Sequence, residues 1–246
     1  MKVKVAVIVA TYNSKKYLEE CIMSIIGQTY SDWELIIIDG GSTDGTIEII
    51  KNYESYVKYW ISEKDDGIYD AWNKGISLTS SDWICFVGSD DVLYPDALED
   101  YSNHIKAHPI GDVLEFVSSN IDLVDENLNL LETVGAPWQW DKFKVSMLTW
   151  HVGCFHSRKL FEKYGLYDTS YKISGDYELL LRPGNKLATS YFNKTTAKMR
   201  NGGVSSKKLF MASKETYRAK VKNHVISTMK GYFLVLVDNI RLRFRK

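Results

Sequence analysis

Cysteine is scarce: Cys21, Cys85 and Cys154 are the only three in 246 residues, and they stand far apart with no Cys-x-x-Cys pair. That spacing offers neither a zinc cluster nor a disulfide framework, and it fits a reducing compartment. No apolar run approaches the roughly 20 residues that a bilayer-spanning helix needs. Near the end of the chain, Gly231-Tyr232-Phe233-Leu234-Val235-Leu236-Val237 has seven. Net charge is missing too, since 31 basic residues balance 31 acidic ones. There is no internal repeat and no low-complexity tract. No Gly-x-Gly-x-x-Gly follows a predicted strand, which counts against a dinucleotide-dependent oxidoreductase. What is present is an ordinary globular composition, 45% hydrophobic and 25% charged, in a chain long enough to bury a full core.

The first residues, Met1-Lys2-Val3-Lys4, are basic and an apolar run follows, the order of a signal peptide. That run is short and passes straight into Thr11-Tyr12-Asn13 with no small-residue cleavage site. It therefore reads as a first core strand, and a cytoplasmic location is expected. Charge, balanced in total, is unevenly placed. From Lys207 onward eleven basic residues face only Glu215 and Asp238, which leaves the tail at +9 and the remainder at −9. Such asymmetry points to an anionic partner, a phospholipid surface or a phosphate-bearing acceptor; a solvated basic helix is the alternative. With Lys230 before it and Arg241, Arg243, Arg245 and Lys246 after it, the 231–237 segment suits a membrane interface. A dimer contact or a core helix is equally compatible with its pattern.

Residues 3–10, 33–39, 57–61 and 82–87 are short β-branched or aromatic runs bounded by polar turns, which is how buried strands read. Between them Leu18, Cys21, Ile22, Ile25 and Ile26 fall at steps of three and four. Ile47, Ile49 and Ile50 start another helix that Thr43 or Asp44 can cap. Residues 69–76 read as a helix entered through Asp65-Asp66-Gly67, and a further helix runs from Pro95 towards Pro109. Strand and helix thus alternate, implying βαβ units and a mainly parallel sheet covered by helices. Beyond Gly111 the expectation is a strand at 112–119, a hairpin or loop at 124–131, and a strand-like passage at 147–156 leading to a helix at 158–164.

Three acidic sites follow such elements: Asp39 after the second strand, Asp90-Asp91 after Gly88-Ser89, and Asp176 in Ser174-Gly175-Asp176-Tyr177-Glu178. Apolar strands ending in such turns deliver acids to one sheet edge. Hard oxygen ligands such as Asp90 and Asp91 suit magnesium or manganese, which bridge the oxygens of a diphosphate. Acids at helix starts are also common caps, so that reading stands beside the metal one. Asp39 can accept from a base imide or a ribose hydroxyl while Gly40 and Gly41 let backbone approach a ligand; or it simply closes a turn. Asp176 is either a base for an incoming hydroxyl or the N-cap of a helix running to Leu181.

Taken in order, Thr11-Tyr12-Asn13, Asp39-Gly40-Gly41-Ser42-Thr43-Asp44-Gly45-Thr46, the stretch from Ser62 through Asp65-Asp66-Gly67 and Ala71-Trp72-Asn73-Lys74-Gly75, and Gly88-Ser89-Asp90-Asp91 resemble the family-2 inverting glycosyltransferases of the GT-A fold. His151-Val152-Gly153-Cys154-Phe155, Gly175-Asp176-Tyr177-Glu178 and Met199-Arg200-Asn201-Gly202-Gly203-Val204-Ser205 continue the likeness, which covers residues 1 to about 206. It is closest to bacterial enzymes of surface-polysaccharide assembly. The resemblance implies an α/β, Rossmann-like mixed sheet flanked by helices. Residues 1–110 would form the nucleotide-sugar half, 111–206 the acceptor and catalytic-base half of the same domain, and 207–246 a basic helical tail.

The same resemblance implies site roles. Thr11, Tyr12 and Asn13 border the nucleotide, Asp39 holds the base, Asp65 and Asn73 help seat the donor, and Asp90 faces the ribose or donor sugar. Asp91 ligates manganese or magnesium, and Asp176 is the catalytic base. His151 and Glu178 are candidates for donor or acceptor contact. Arg200, with its glycines, would sit on a mobile loop closing on the diphosphate. The implied reaction moves a sugar with inversion from a nucleotide diphosphate sugar, a UDP-hexose or UDP-N-acetylhexosamine by preference. The acceptor is a glycan or a polyprenyl-diphosphate-linked hydroxyl, the product a β-type linkage, and the setting the inner face of the plasma membrane. No nucleic-acid partner is expected.

Two departures stand out. Ser89 occupies a position where the family's metal motif often has an acid, which puts the weight on Asp91. Pro183 would cut short the helix that carries Asp176. Competing readings are a sugar nucleotidyltransferase, against which the absence of a basic glycine-rich loop after the first strand counts, and a non-catalytic nucleotide- or carbohydrate-binding protein of the same fold.

Overall fold

The structure is a computed structural model that describes residues 3–203 and 208–244. Four short apolar runs form parallel strands, β1 (Val5–Thr11), β2 (Trp33–Asp39), β3 (Val57–Ser62) and β4 (Trp83–Gly88). Their register decides where the chemistry lies. Thr11 pairs with Asp39, Asp39 with Ser62, and Ala10 with Gly88, so the strands finish level along one edge. In open α/β sheets this carboxyl edge is where ligands bind.

Alternation along the strands divides the core between two faces, as a sheet covered on both sides requires. Val5, Val7 and Val9 pack with α1 (Leu18–Ile26), α2 (Thr46–Asn52) and α4 (Ala97–Ala107). Ala6 and Ile8 pack with α3 (Ile68–Ser77), α6 (Arg158–Tyr164) and α7 (Gly175–Leu181). The approach of α3 to β1 depends on a glycine, because a Cβ on Gly75 would lie 2.5 Å from Ile8 Cγ2.

The sheet continues as β3-β2-β1-β4-β8-β6-β9-β5, with β7 on the outer part of β6. Here β5 is Val92–Leu93, β6 Phe116–Val124, β7 Leu130–Val134, β8 Cys154–Ser157 and β9 Thr189–Arg200. Beyond β4 most pairings are antiparallel, while β6 and β9 run parallel. Because β5 pairs with β9 and Val124 pairs with Arg200, the turn after β4 lies beside the end of β9. Mixed pairing thus joins the two halves of the chain in one sheet.

Several boundaries differ from the sequence expectations. Gly111–Val113 is a tight helical turn, so β6 starts later and runs further than 112–119. The 124–131 segment is a hairpin turn whose Asp125 Oδ1 accepts from the amides of Asn127 and Asn129, and the hairpin extends to Val134. His151–Gly153 is another tight turn, leaving β8 only four residues. The twelve-residue β9 has no counterpart in the sequence reading; polar Asn193, Lys194, Thr195 and Thr196 interrupt its apolar pattern. Pro183 has the expected effect, for α7 stops at Leu181. A short α5 (Trp140–Phe143) and two helices, α8 (Leu209–Lys222) and α9 (Thr228–Phe244), complete the elements. The seven-residue segment lies inside the 17-residue α9. Among the described residues no helix is long and apolar enough to cross a membrane.

Candidate active site

The loops after β1 and β2 are locked together. Asn13, in the left-handed region at φ 49°, donates its N–H to Ser42 Oγ (2.7 Å) and accepts at Oδ1 from the Thr43 amide (3.0 Å). Asp39 is fully buried, and its Oδ2 accepts from the amides of Gly41 (3.1 Å) and Ser42 (2.9 Å) and from Ser62 Oγ (2.6 Å). Its other oxygen accepts from the Ser42 hydroxyl. The turn-closing role is therefore present in the structure. Gly40 opens a concave spot: a Cβ there would meet Asp65 Oδ2 at 2.8 Å and the Tyr12 ring at 3.3 Å. Asp65 accepts from the Gly67 amide, Tyr12 is largely exposed, and Thr11 Oγ1 is buried with no protein partner. An exposed ring, a carboxylate and an unpaired hydroxyl at one edge can receive a nucleoside.

The second cluster forms where β4 turns back. A Cβ on Gly88 would meet Asp91 Oδ2 at 2.6 Å and Asp90 Oδ1 at 3.1 Å, so both carboxylates gather over the glycine. Burial, and then the neighbouring Asp91 charge, push the Asp90 carboxyl up. His151 Nε2 points at Asp91 Oδ2 from 3.5 Å and makes no hydrogen bond. Burial pulls the imidazole down, but Asp91, Asp176 and Asp90 outweigh it and hold its pKa above the ordinary value. Ser89 Oγ lies 2.7 Å from Ser14 Oγ, tying this turn to the loop after β1.

Arg200 departs from expectation. It closes β9 rather than riding on a loop, and it is buried. Its amide donates to Asp91 Oδ1 (3.2 Å), while the guanidinium donates to the Asp90 and Glu126 carbonyls, pairs with Glu20 and stacks on the Tyr17 ring. In this arrangement it braces the acidic turn. Val204 and Ser205 of the same motif lie outside the described residues.

Asp176 lies in the first turn of α7, after Ser174 at the cap position, so it is not the N-cap. Its Oδ1 accepts from the Tyr177 amide (2.8 Å) and lies 3.0 Å from the Tyr69 hydroxyl. Burial raises its pKa, opposed chiefly by the His151 charge. Gly175 lets the helix start rest on Tyr69, since a Cβ would come within 2.7 Å of that ring.

Two expected contacts are taken elsewhere. Asn73, four residues after Tyr69, shares its face of α3. Its amide donates to the Tyr167 carbonyl (2.9 Å) and accepts from the Tyr167 N–H (3.0 Å), clamping backbone rather than facing a donor. Glu178 follows Asp176 by two residues, more than half a helical turn, and so points away from it. It is fully buried and binds Arg182, Lys222 (2.9 Å) and Asn223 (3.3 Å). Sequence reasoning assigned no role to Tyr69, Glu20 or Tyr17, whose partners are remote in sequence and leave no local signal.

The donor set at Gly88 suits a hard cation. Among the described residues no three metal-binding side chains form a ready cage. Two carboxylates gathered over one glycine fit an ion that takes its remaining ligands from phosphate and water. Asp91, with Asp90 beside it, would hold it.

A parallel half-sheet ending in acids, continued by a mixed half, is the architecture of the GT-A glycosyltransferases. Residues 6–167 match the profile described as Glycosyl transferase family 2, and the chain belongs to that family. A PGL/p-HBAD biosynthesis glycosyltransferase of Mycobacterium tuberculosis is 29% identical over 239 residues, covering 94% of this chain and 88% of its own length. An uncharacterised glycosyltransferase of Rickettsia typhi is 30% identical over 183 residues, 71% of this chain and 57% of that protein. In structure, S. aureus TarS 1–349 in complex with UDP-GlcNAc superposes at TM-score 0.70 and 17% identity, over 89% of this chain and 67% of that one. The chain spans only 40% of the longer TarS structure. The mannosyltransferase PcManGT of Pyrobaculum calidifontis, in complex with GDP-Man and Mn2+, gives a TM-score of 0.66 at 17% identity over 93% and 66% of the two chains.

Proposed function

We propose that the chain catalyses inverting sugar transfer from a nucleotide diphosphate sugar, a UDP-hexose or UDP-N-acetylhexosamine by preference, to a hydroxyl of a glycan or a polyprenyl-diphosphate-linked acceptor. The observation that carries this reading is His151, a single imidazole under the combined charge of Asp91, Asp176 and Asp90. With Nε2 only 3.5 Å from Asp91 Oδ2, it supports a metal-binding pair and a separate carboxylate acting about one centre. Asp176 removes the proton of the incoming hydroxyl, whose oxygen bonds to the sugar carbon as the bond to the diphosphate breaks on the opposite side; the carbon inverts and a β-type linkage results. A carboxyl raised by burial is a better base than an ordinary one. Bound manganese or magnesium supplies neutralisation of charge on the departing diphosphate. Thr11, Tyr12, Asn13, Asp39 and Asp65 border the nucleoside.

The UDP-GlcNAc complex of TarS and the GDP-Man and Mn2+ complex of PcManGT support the donor class. The test is a screen of uridine, guanosine and thymidine diphosphate sugars with manganese and magnesium. Release of nucleoside diphosphate is expected from wild type, with loss on Asp176→Asn. A binding protein would release nothing, and a nucleotidyltransferase would release pyrophosphate instead.

The second part of the reading is attachment to the anionic inner face of the plasma membrane. Met229, Tyr232, Phe233, Leu236 and Ile240 recur at helical spacing along α9, and all are exposed. The opposite side of α9 meets α8, where Asp238 accepts from Ser213 and Tyr217. Exposed Lys230 and Arg241 add the positive charge that an anionic surface attracts. Co-sedimentation with anionic liposomes should fall on Phe233→Glu. Unchanged co-sedimentation, or a dimer that Phe233→Glu dissolves, would count against lipid as the occupant.

A further inference from the structure

The approach to Asp176 is held from the tail. Residues 168–174 run into α7 without regular secondary structure, and side chains of α8 grip them along their length. Arg218 stacks on Tyr171 at 3.7 Å and donates to the Ser170 carbonyl (3.0 Å). Lys222 pairs with Asp168 and Glu178, each at 2.9 Å. Between them lies Glu215, buried, with its carboxylate turned to three successive backbone amides. Lys172 N donates to Oε1 (2.9 Å) and Oε2 (3.1 Å), Ile173 N to Oε2 (2.8 Å) and Ser174 N to Oε2 (2.9 Å). Consecutive amides turned to one side make an anion-holding concavity, and here the anion comes from 41 residues beyond Ser174. On the other side the Tyr69 hydroxyl donates to the Ile173 carbonyl at 2.6 Å. The peptide unit joining Ile173 and Ser174 is thereby fixed at both its carbonyl and its N–H, two residues before Asp176.

We propose that Glu215 is a positioning residue for the transfer reaction: it sets the 172–174 backbone and, through it, the place of the Asp176 carboxylate. This rests on the reading of Asp176 as the base. Oε2 alone accepts from all three amides and Oε1 adds a second bond from Lys172 N; a carboxamide with its oxygen in the Oε2 place loses the negative charge and turns its NH2 toward the Lys172 amide. The tail is on this account part of the catalytic centre, whatever α9 docks on.

The test is Glu215→Gln in the full chain, with three readouts. Amide exchange of residues 172–174 should quicken at least about tenfold, as loss of hydrogen-bond protection requires. The kcat for UDP release from UDP-GlcNAc should drop about tenfold or more, the scale of a misplaced reacting group, while the Kd for UDP with Mn2+ stays within about twofold. Exchange at the wild-type rate overturns the proposal, as does a UDP affinity that falls in step with kcat. A wild-type chain that releases nucleoside diphosphate from no sugar donor overturns the transfer reading and this role with it. Faster exchange at full kcat overturns the role alone. Glu215→Asp, which keeps the charge but draws the carboxylate back, reads the same split should the glutamine variant not fold.

Discussion

Tyr69 holds its hydroxyl 3.0 Å from Asp176 Oδ1 and 2.6 Å from the Ile173 carbonyl, with one proton to give. Burial and the Asp176 charge keep that phenol protonated, so it acts as a donor throughout the working range. The Ile173 carbonyl and Asp176 compete for that proton, and the share that reaches Asp176 favours its ionised form. Burial nevertheless leaves the carboxyl above its ordinary 3.8. The acid limb of the kcat profile is therefore expected above the ordinary aspartate value. Tyr69→Phe should shift it further up, because a contact stabilising the carboxylate is gone. A kcat profile whose acid limb stays put on Tyr69→Phe would separate the limb from Asp176.

The same burial carries a stability consequence of known sign. A carboxyl whose folded pKa is raised favours folding below its unfolded value, and that contribution is lost as pH rises through the folded pKa. At neutral pH Asp176 is held ionised against its surroundings. Asp176→Asn should thus raise the melting temperature at pH 7 by a few degrees while abolishing transfer, and the gain should vanish well below the ordinary carboxyl value of 3.8, at about pH 2.5, where the carboxyl is neutral in both the folded and the unfolded chain. Calorimetry at the two pH values checks it; a lowered melting temperature at pH 7 would mean that Asp176 is held by contacts stronger than its desolvation.

How much of this could be read in advance depended on distance along the chain. The four parallel strands and the helices between them were legible, because each is a local apolar pattern ended by its own turn. Asp91 and Asp176 were flagged by motif, and the sheet brings both to the surroundings of His151. What sequence did not disclose is which face of a helix a polar residue takes. Asn73 and Glu178 stand within matched motifs, yet helical spacing turns both toward other backbone and side chains. The resemblance puts Arg200 on a loop; its strand is visible only through pairing with β6, whose Val124 is 76 residues away.

Arg200 and Asp91 make a joint prediction. Asp91→Asn should weaken UDP binding in the presence of Mn2+ at least about tenfold, the scale of a lost carboxylate ligand, and leave metal-free binding unchanged. Arg200→Lys should imitate it more weakly, since lysine retains charge but not the guanidinium fork that meets Asp90, Glu126 and Glu20 together. Titration calorimetry with and without Mn2+ distinguishes brace from direct contact. A guanidinium binding the diphosphate itself would lower metal-free UDP affinity as well.

Far from the acidic edge, Glu34 near the start of β2 supplies a control that moves stability without touching chemistry. It is buried, and burial alone would raise its pKa. The opposing bonds from Lys58, Thr79, Ser81 and Lys4 win and lower it from 4.5 to about 2. A depressed carboxylate contributes stability that is present above its unfolded pKa and lost as pH falls through the folded one, here between 4.5 and about 2. Glu34→Gln should cost roughly 3 kcal/mol at pH 7, with kcat unchanged, and the cost should shrink steadily as the pH is lowered through that window. Urea unfolding at pH 7 and pH 2.5 reads the difference directly. A cost that stays constant across the window would assign the loss to packing around the side chain rather than to its ionised hydrogen bonds.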